Sequence, residues 1–180
     1  MSVLSTCVVV LLFVALGHAQ QAIIHTNYGT ITLQLYPQDA PKTVANFVNL
    51  STTGFYNGTY FYRLAAGFVL QGGGYYNNQT SNITVPLEYK LPNAEWTVGL
   101  ARAAAPNTGS SEYFINLANN TQALAPGGSS PGGYCVFAEV IGGFDTVRAL
   151  IALPTHYVQE DGMNEFYKPW PSVEYIQIVG

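Results

Sequence analysis

Apolar residues recur along this chain with two different periods. Ile31, Leu33 and Leu35 alternate with Thr30, Thr32 and Gln34, behind a first apolar arm at Ile23 and Ile24 and a turn at Asn27-Tyr28-Gly29. A period of two flanking a turn predicts an antiparallel hairpin over 23–36. Past Asp39 the period changes. Val44, Phe47 and Val48 fall at i, i+3 and i+4, which is the face of a helix within 39–56. Asp39 can cap it, Pro41 suits an early helical position and Gly54 fits its stop. Strand-like runs follow at 59–64, 68–74, 96–102, 112–118, 134–140 and 173–179. A second short helix is expected at 144–153, with Val147, Leu150 and Ile151 on one face, and a Pro-containing coil leads from it to the last strand.

Between these elements, residues 74–94 are polar and irregular, and 121–133 are rich in Gly, Pro and Ser, so both read as loops. No repeat or linker divides the chain. Many short strands with two helices predict one mainly-β domain, a barrel or a sandwich. A barrel has the advantage of leaving no exposed sheet edge.

The N-terminus departs from this pattern. Val8–Leu16 is a short apolar run, followed by Gly17 and Ala19 at the spacing of a cleavage site. Residues 1–19 therefore read as a secretory signal peptide, removed before a domain at 20–180. The run is too short for an ordinary transmembrane helix, with an uncleaved anchor as the alternative. Cys7 leaves with that segment, so Cys135 stands alone in the mature chain and no internal disulfide can form. Its apolar, strand-like surroundings predict a buried, inert thiol. Sequons begin at Asn49, Asn57, Asn78, Asn82 and Asn119 and make a glycoprotein of a secreted product, Asn49 being the weakest because it lies on a helix.

Composition narrows the function classes. Of 180 residues, 48% are hydrophobic and 9% charged, with net charge -4, which is a folded chain without an electrostatic footprint for nucleic acid or anionic membrane. His25 and His156 lie far apart without ligand-type neighbours, so no metal site is expected. Nothing near Cys135 supports a Cys–His nucleophile. The Gly-rich loop at 128–133 lacks the lysine and helix of a phosphate loop. Glu160 and Asp161 read as solvated.

Arg63 is different. It is one of six basic residues and sits within an apolar run, 61–74, that ends in Gln71 and three glycines. A lone strand arginine ordinarily snorkels to solvent or meets a carboxylate. Here its setting, Phe61-Tyr62-Arg63, then Gly67-Phe68, then Gln71-Gly72-Gly73, resembles the signature of the cyclophilin peptidyl-prolyl isomerases. Segments 40–50, 54–63, 101–116 and 132–147 resemble that family in its own order, so the likeness spans nearly all of 22–179, closest to compact bacterial forms.

The resemblance implies a closed eight-stranded antiparallel β-barrel, capped by a helix at each end, with the site on its outer face. It implies catalysed rotation about Xaa–Pro bonds without a cofactor, with proline-containing polypeptides as partners and the chain acting as a monomer. Arg63 would be the catalytic group. Phe68, Val69, Phe114 and Leu124 would wall a slot for the proline ring, with Tyr134 at its edge. Gln71 would orient Arg63 and substrate, and the backbone of Ala101 and Arg102 would pair with the peptide.

Three positions depart from the family pattern. Glu112 replaces a usual Gln; a carboxylate beside Arg63 either steadies the guanidinium or occupies donors the substrate needs. The second outcome makes the chain a catalytically weakened proline-peptide-binding module. Tyr62 replaces a common His and reads as peripheral. Ala123 stands where many eukaryotic members carry Trp, implying an open rim and weak binding of cyclosporin-type cyclic peptides. The localisation expected from the leader is secreted, periplasmic or another secretory-pathway compartment.

Overall fold

A computed structural model of the chain describes residues 20–74, 81–128, 131–159 and 163–180. The leader at 1–19, the sequon at Asn78 and the Glu160–Asp161 pair lie outside the described residues. The strands are β1 (Gln21–Thr26), β2 (Gly29–Leu35), β3 (Phe61–Ala65), β4 (Val69–Gly72), β5 (Thr97–Leu100), β6 (Tyr113–Asn116), β7 (Val136–Gly142), β8 (Thr155–Val158), β9 (Met163–Phe166) and β10 (Val173–Val179). The helices are α1 (Pro41–Thr52) and α2 (Phe144–Ile151).

All strands join one antiparallel sheet in the order β10-β1-β2-β7-β5-β6-β4-β3-β9-β8. Alternation drives the inner face: Ala22 and Ile24, Ile31, Leu33 and Leu35, and Val98, Tyr113, Ile115 and Phe137 pack into one buried core. In α1 Val44 and Phe47 of the predicted stripe are buried in that core, Val48 is partly buried against it, and Leu50 joins the buried face. Gly54 adopts φ 75° just past the helix and the Phe55 N–H reaches back to the Leu50 carbonyl at 2.9 Å. This left-handed stop is one that glycine makes at little cost. In α2 the buried residues are Val147 and Leu150, with Ile151 partly buried against the core.

Three expectations are corrected. Among the described residues the strand count is ten rather than eight, because β8 and β9 stand where a coil was expected after α2. These strands carry no clean alternation, and His156 and Tyr157 are both exposed, so period two is hidden there. Among the described residues the ring of strands is also not closed by a ladder. Backbone bonds from Val173 N–H to Thr59 O (2.7 Å) and from Phe61 N–H to Pro171 O (2.9 Å) tie the start of β10 to the approach to β3. Beyond that point the outer edge of β3 is taken by β9, through the pair Arg63–Glu165. Third, Asp39 does not cap α1: its N-cap is Ala40, without a side-chain bond. Glu88, from the loop before β5, accepts instead from Lys42 N–H (3.1 Å) and from the Thr43 N–H and hydroxyl (2.9 Å each). Asp39 pairs with Lys90 at 2.7 Å.

Candidate active site

The sheet register assembles the site. Arg63 on β3 lies opposite Gln71 on β4, Gln71 opposite Phe114 on β6, and Phe114 opposite Gly99 on β5. Side chains in one cross-strand row share a face of the sheet. Since Tyr113 and Ile115 point into the core, Phe114 must point outward, where it is nonetheless only 4% exposed. It is covered by a second apolar cluster, with Val69 and Leu124 buried and Ala65, Phe68, Ala101 and Tyr134 packed around them. Gly99 makes this possible: a Cβ there would strike the Phe114 ring.

Loop geometry supplies the remaining walls. The Phe68 carbonyl accepts from Leu117 N–H (2.9 Å) and from Asn120 Nδ2 (2.8 Å), and Asn120 Nδ2 also donates to Asn116 Oδ1 (2.9 Å). Leu124 N–H donates to the Asn120 carbonyl (2.9 Å), and Tyr134 N–H to the Leu124 carbonyl (3.1 Å). The Tyr134 ring meets Phe114 edge-on, with centroids 5.8 Å apart.

The result is a cavity of about 330 Å3 on the outer face, lined by Arg63, Phe68, Val69, Gln71, Ala101, Arg102, Phe114, Leu124 and Tyr134. All are residues expected from the sequence. The tenth, Glu112, lines an adjoining cavity of about 410 Å3 that shares Gln71, Ala101 and Arg102 with the slot. Ala101 N–H donates to the Glu112 carbonyl at 2.9 Å, joining the two walls.

Arg63 is half-buried, and its Nη1 donates to Gln71 Oε1 at 2.9 Å. It forms no ion pair with Glu112 among the described residues. That carboxylate is engaged elsewhere, accepting from the Tyr62 hydroxyl and from Gln71 Nε2, both at 2.7 Å to Oε2. The direct Arg63–Glu112 pairing expected from their proximity is therefore corrected. Tyr62 is not peripheral either: it is 4% exposed, and burial together with the Glu112 charge pushes its phenol pKa up. The clue was available, since a tyrosine beside Arg63 and a glutamate before Phe114 are both long enough to meet outside the sheet, but only the register pairs them.

Arg102 shows a role that the sequence hid. Its Nε and Nη2 donate to the Gly133 carbonyl (2.9 and 2.6 Å), Nη2 also to Pro131 (2.6 Å), and Nη1 to Ala103 and Ala104 (3.0 and 3.1 Å). The guanidinium carbon lies 4.7 Å from the Tyr134 ring centroid. One cation thus pins two loops and a slot wall.

Cys135 lies apart from this chemistry. It is 1% exposed, 3.6 Å from the Thr43 hydroxyl, and burial pushes its thiol up to about 11. No group of three His, Cys, Asp or Glu is placed to hold a metal among the described residues.

The outer face of the antiparallel sheet thus carries an apolar slot with a tethered guanidinium at its rim. The model of the cyclophilin type peptidyl-prolyl cis-trans isomerases matches residues 22–172, and the chain belongs to that family. It is 38% identical over 137 residues to peptidyl-prolyl cis-trans isomerase B of Escherichia coli, covering 73% of this chain and 84% of that protein. Identity to the peptidyl-prolyl cis-trans isomerase of Acinetobacter baylyi is 36%, over 72% of this chain and 71% of the relative. Among solved structures, a cyclophilin type isomerase of Cryptosporidium parvum superposes with TM-score 0.75 at 25% identity, covering 89% of this chain and 98% of its own. The same protein in the presence of the dipeptide Ala-Pro gives 0.74.

Proposed function

We propose that this isomerase accelerates Xaa–Pro rotation with Arg63 as its catalytic group, and that it serves the folding of exported polypeptides. Amide resonance sets a barrier of about 18–20 kcal/mol to that rotation. As the carbonyl twists out of plane the prolyl nitrogen becomes pyramidal, and its lone pair becomes an acceptor. A guanidinium held at the slot edge donates to that lone pair only in the twisted state, so the interaction favours the transition state over the ground state. Phe68, Val69, Phe114 and Leu124 grip the pyrrolidine ring, and the backbone at Ala101 and Arg102 pairs with the peptide. The chemistry needs no redox group or Lewis acid.

The observation that carries this reading is the Arg63 Nη1–Gln71 Oε1 bond at the rim of an apolar slot that the protein's own side chains leave open. Replacing Arg63 by Ala is the test. Loss of most prolyl isomerisation in a peptide assay, with the fold retained, supports the reading; a wild-type rate overturns it.

The apolar leader and the sequons support a secretory compartment. Asn49, Asn57, Asn82 and Asn119 are all exposed, so each is open to glycan attachment. Asn49 lies within α1, as expected, on its solvent side. No helix among the described residues is long and apolar enough to cross a membrane. Expression in a eukaryotic secretory host, followed by amidase deglycosylation, tests this: a mobility shift supports it, and identical mobility with an intact leader overturns it.

A further inference from the structure

Gln71 holds its side-chain amide between two groups that each allow one kind of hydrogen bond. On one side Arg63 Nη1 donates to Oε1 at 2.9 Å. A guanidinium has donors and no acceptor. On the other, Nε2 donates to Glu112 Oε2 at 2.7 Å. A carboxylate without a hydrogen only accepts. Turning the amide over would set its NH2 against the guanidinium and its carbonyl against the carboxylate, losing both bonds together.

Tyr62 closes the arrangement. Its hydroxyl accepts from Gln71 Nε2 and donates to Glu112 Oε2, each at 2.7 Å. Because burial and the neighbouring carboxylate keep the phenol protonated, that hydrogen stays available. The backbone leaves room for the group: a Cβ at Gly74 would overlap the Glu112 carboxylate. The third glycine after Gln71 therefore accommodates a side chain of this chain.

We infer that Glu112, together with Tyr62, is a positioning residue for the isomerase: the carboxylate locks the Gln71 amide in one orientation, so that Oε1 always faces Arg63 and fixes the guanidinium at the rim of the slot. The inference rests on the reading of Arg63 as the transition-state donor. Bonds to a charged acceptor are stronger than neutral ones, and a cation–amide–anion chain polarises along its length. A glutamine at 112 could turn either its oxygen or its NH2 towards Gln71, so it would permit both amide orientations. On this account Glu112 supports turnover rather than quenching it.

The test compares wild type with Glu112→Gln, Glu112→Ala, Tyr62→Phe and Arg63→Ala on an Ala-Pro peptide, reading kcat and KM separately. The Gln71 side-chain NH2 resonances are followed by NMR, and melting confirms folding. Glu112→Gln should lower kcat about fivefold, the factor that follows from the usual difference between hydrogen bonds to charged and to neutral groups, with KM nearly unchanged. Glu112→Ala should cost at least as much and Tyr62→Phe less, and both Glu112 variants should move the Gln71 resonances. A Glu112→Gln enzyme as fast as or faster than wild type overturns the inference, as does a change confined to KM. If Glu112→Ala does not fold, the near-isosteric Glu112→Gln decides alone. Arg63→Ala separates the two levels. A wild-type rate there removes the reading of Arg63 itself, whereas a dead Arg63→Ala beside fully active Glu112 variants removes only the positioning role.

Discussion

Phe114 and Gly99 face each other across the β5–β6 ladder, and the Phe114 ring occupies the space that any side chain at 99 would need. The floor of the slot is therefore an aromatic ring laid over bare backbone. Gly99→Ala must displace that ring. We expect destabilisation of about 1–3 kcal/mol, the usual cost of overpacking, and a larger proportional loss of kcat/KM than of stability. Thermal melts alongside peptide kinetics check both; an unchanged kcat/KM would show that the ring position does not matter.

Arg102→Lys keeps the charge but cannot reproduce a planar fork bonded to four backbone carbonyls. Loosening residues 131–134 should raise KM several-fold through the Tyr134 wall, with a smaller effect on kcat. Equal KM values in the two proteins would mean that the loops hold without the clamp.

Glu88 caps α1 from a distant loop, so Glu88→Ala removes the carboxylate that accepts from two first-turn N–H groups and from the buried Thr43 hydroxyl. Capping losses run to about 1–2 kcal/mol. Denaturant unfolding should show at least that decrease, with little change in kcat; a stability within error of wild type would contradict the capping role.

The Cys135 thiol should resist alkylation in the folded protein at pH 8 and react at once in denaturant, because both burial and a pKa near 11 suppress the thiolate. The same shift fixes a sign. A thiol whose folded pKa exceeds its unfolded value of 9.0 contributes fully below pH 9 and loses that contribution as pH rises towards 11. Buried Tyr56 and Tyr113 are raised too and act in the same direction. Unfolding free energy should therefore fall from pH 9 to pH 11; a flat profile would refute the burial argument.

Ala123 is exposed beside the buried slot residue Leu124. Cyclosporin should inhibit weakly, and Ala123→Trp should tighten inhibition by adding an aromatic surface at the rim. Equal inhibition of the two proteins would place the determinant elsewhere.

Much of this was legible in the residues. Period two marked the strands whose alternate side chains fill the core, and period 3.6 marked α1 and α2, because one-sided burial imposes those spacings on any sequence. The slot residues were legible through family resemblance and their order along the chain. The pair β8–β9 was not, since strands with exposed residues such as His156 and Tyr157 need no apolar alternation. Nor were the partners of Glu112, Tyr62, Arg102 and Glu88 legible. The Tyr62–Glu112, Arg102–Pro131 and Glu88–Thr43 bonds each span at least 29 residues of chain, and such a partner is chosen by register and loop path, not by local spacing. The sequence by itself settled the inward and outward alternation of β1 and β2, the buried faces of the helices and which charges are scarce. Only the folded sheet decided that the scarce cation would answer to Gln71 and the nearby carboxylate to Tyr62, because hydrogen bonds are directional and short, and a strand register places their ends within reach.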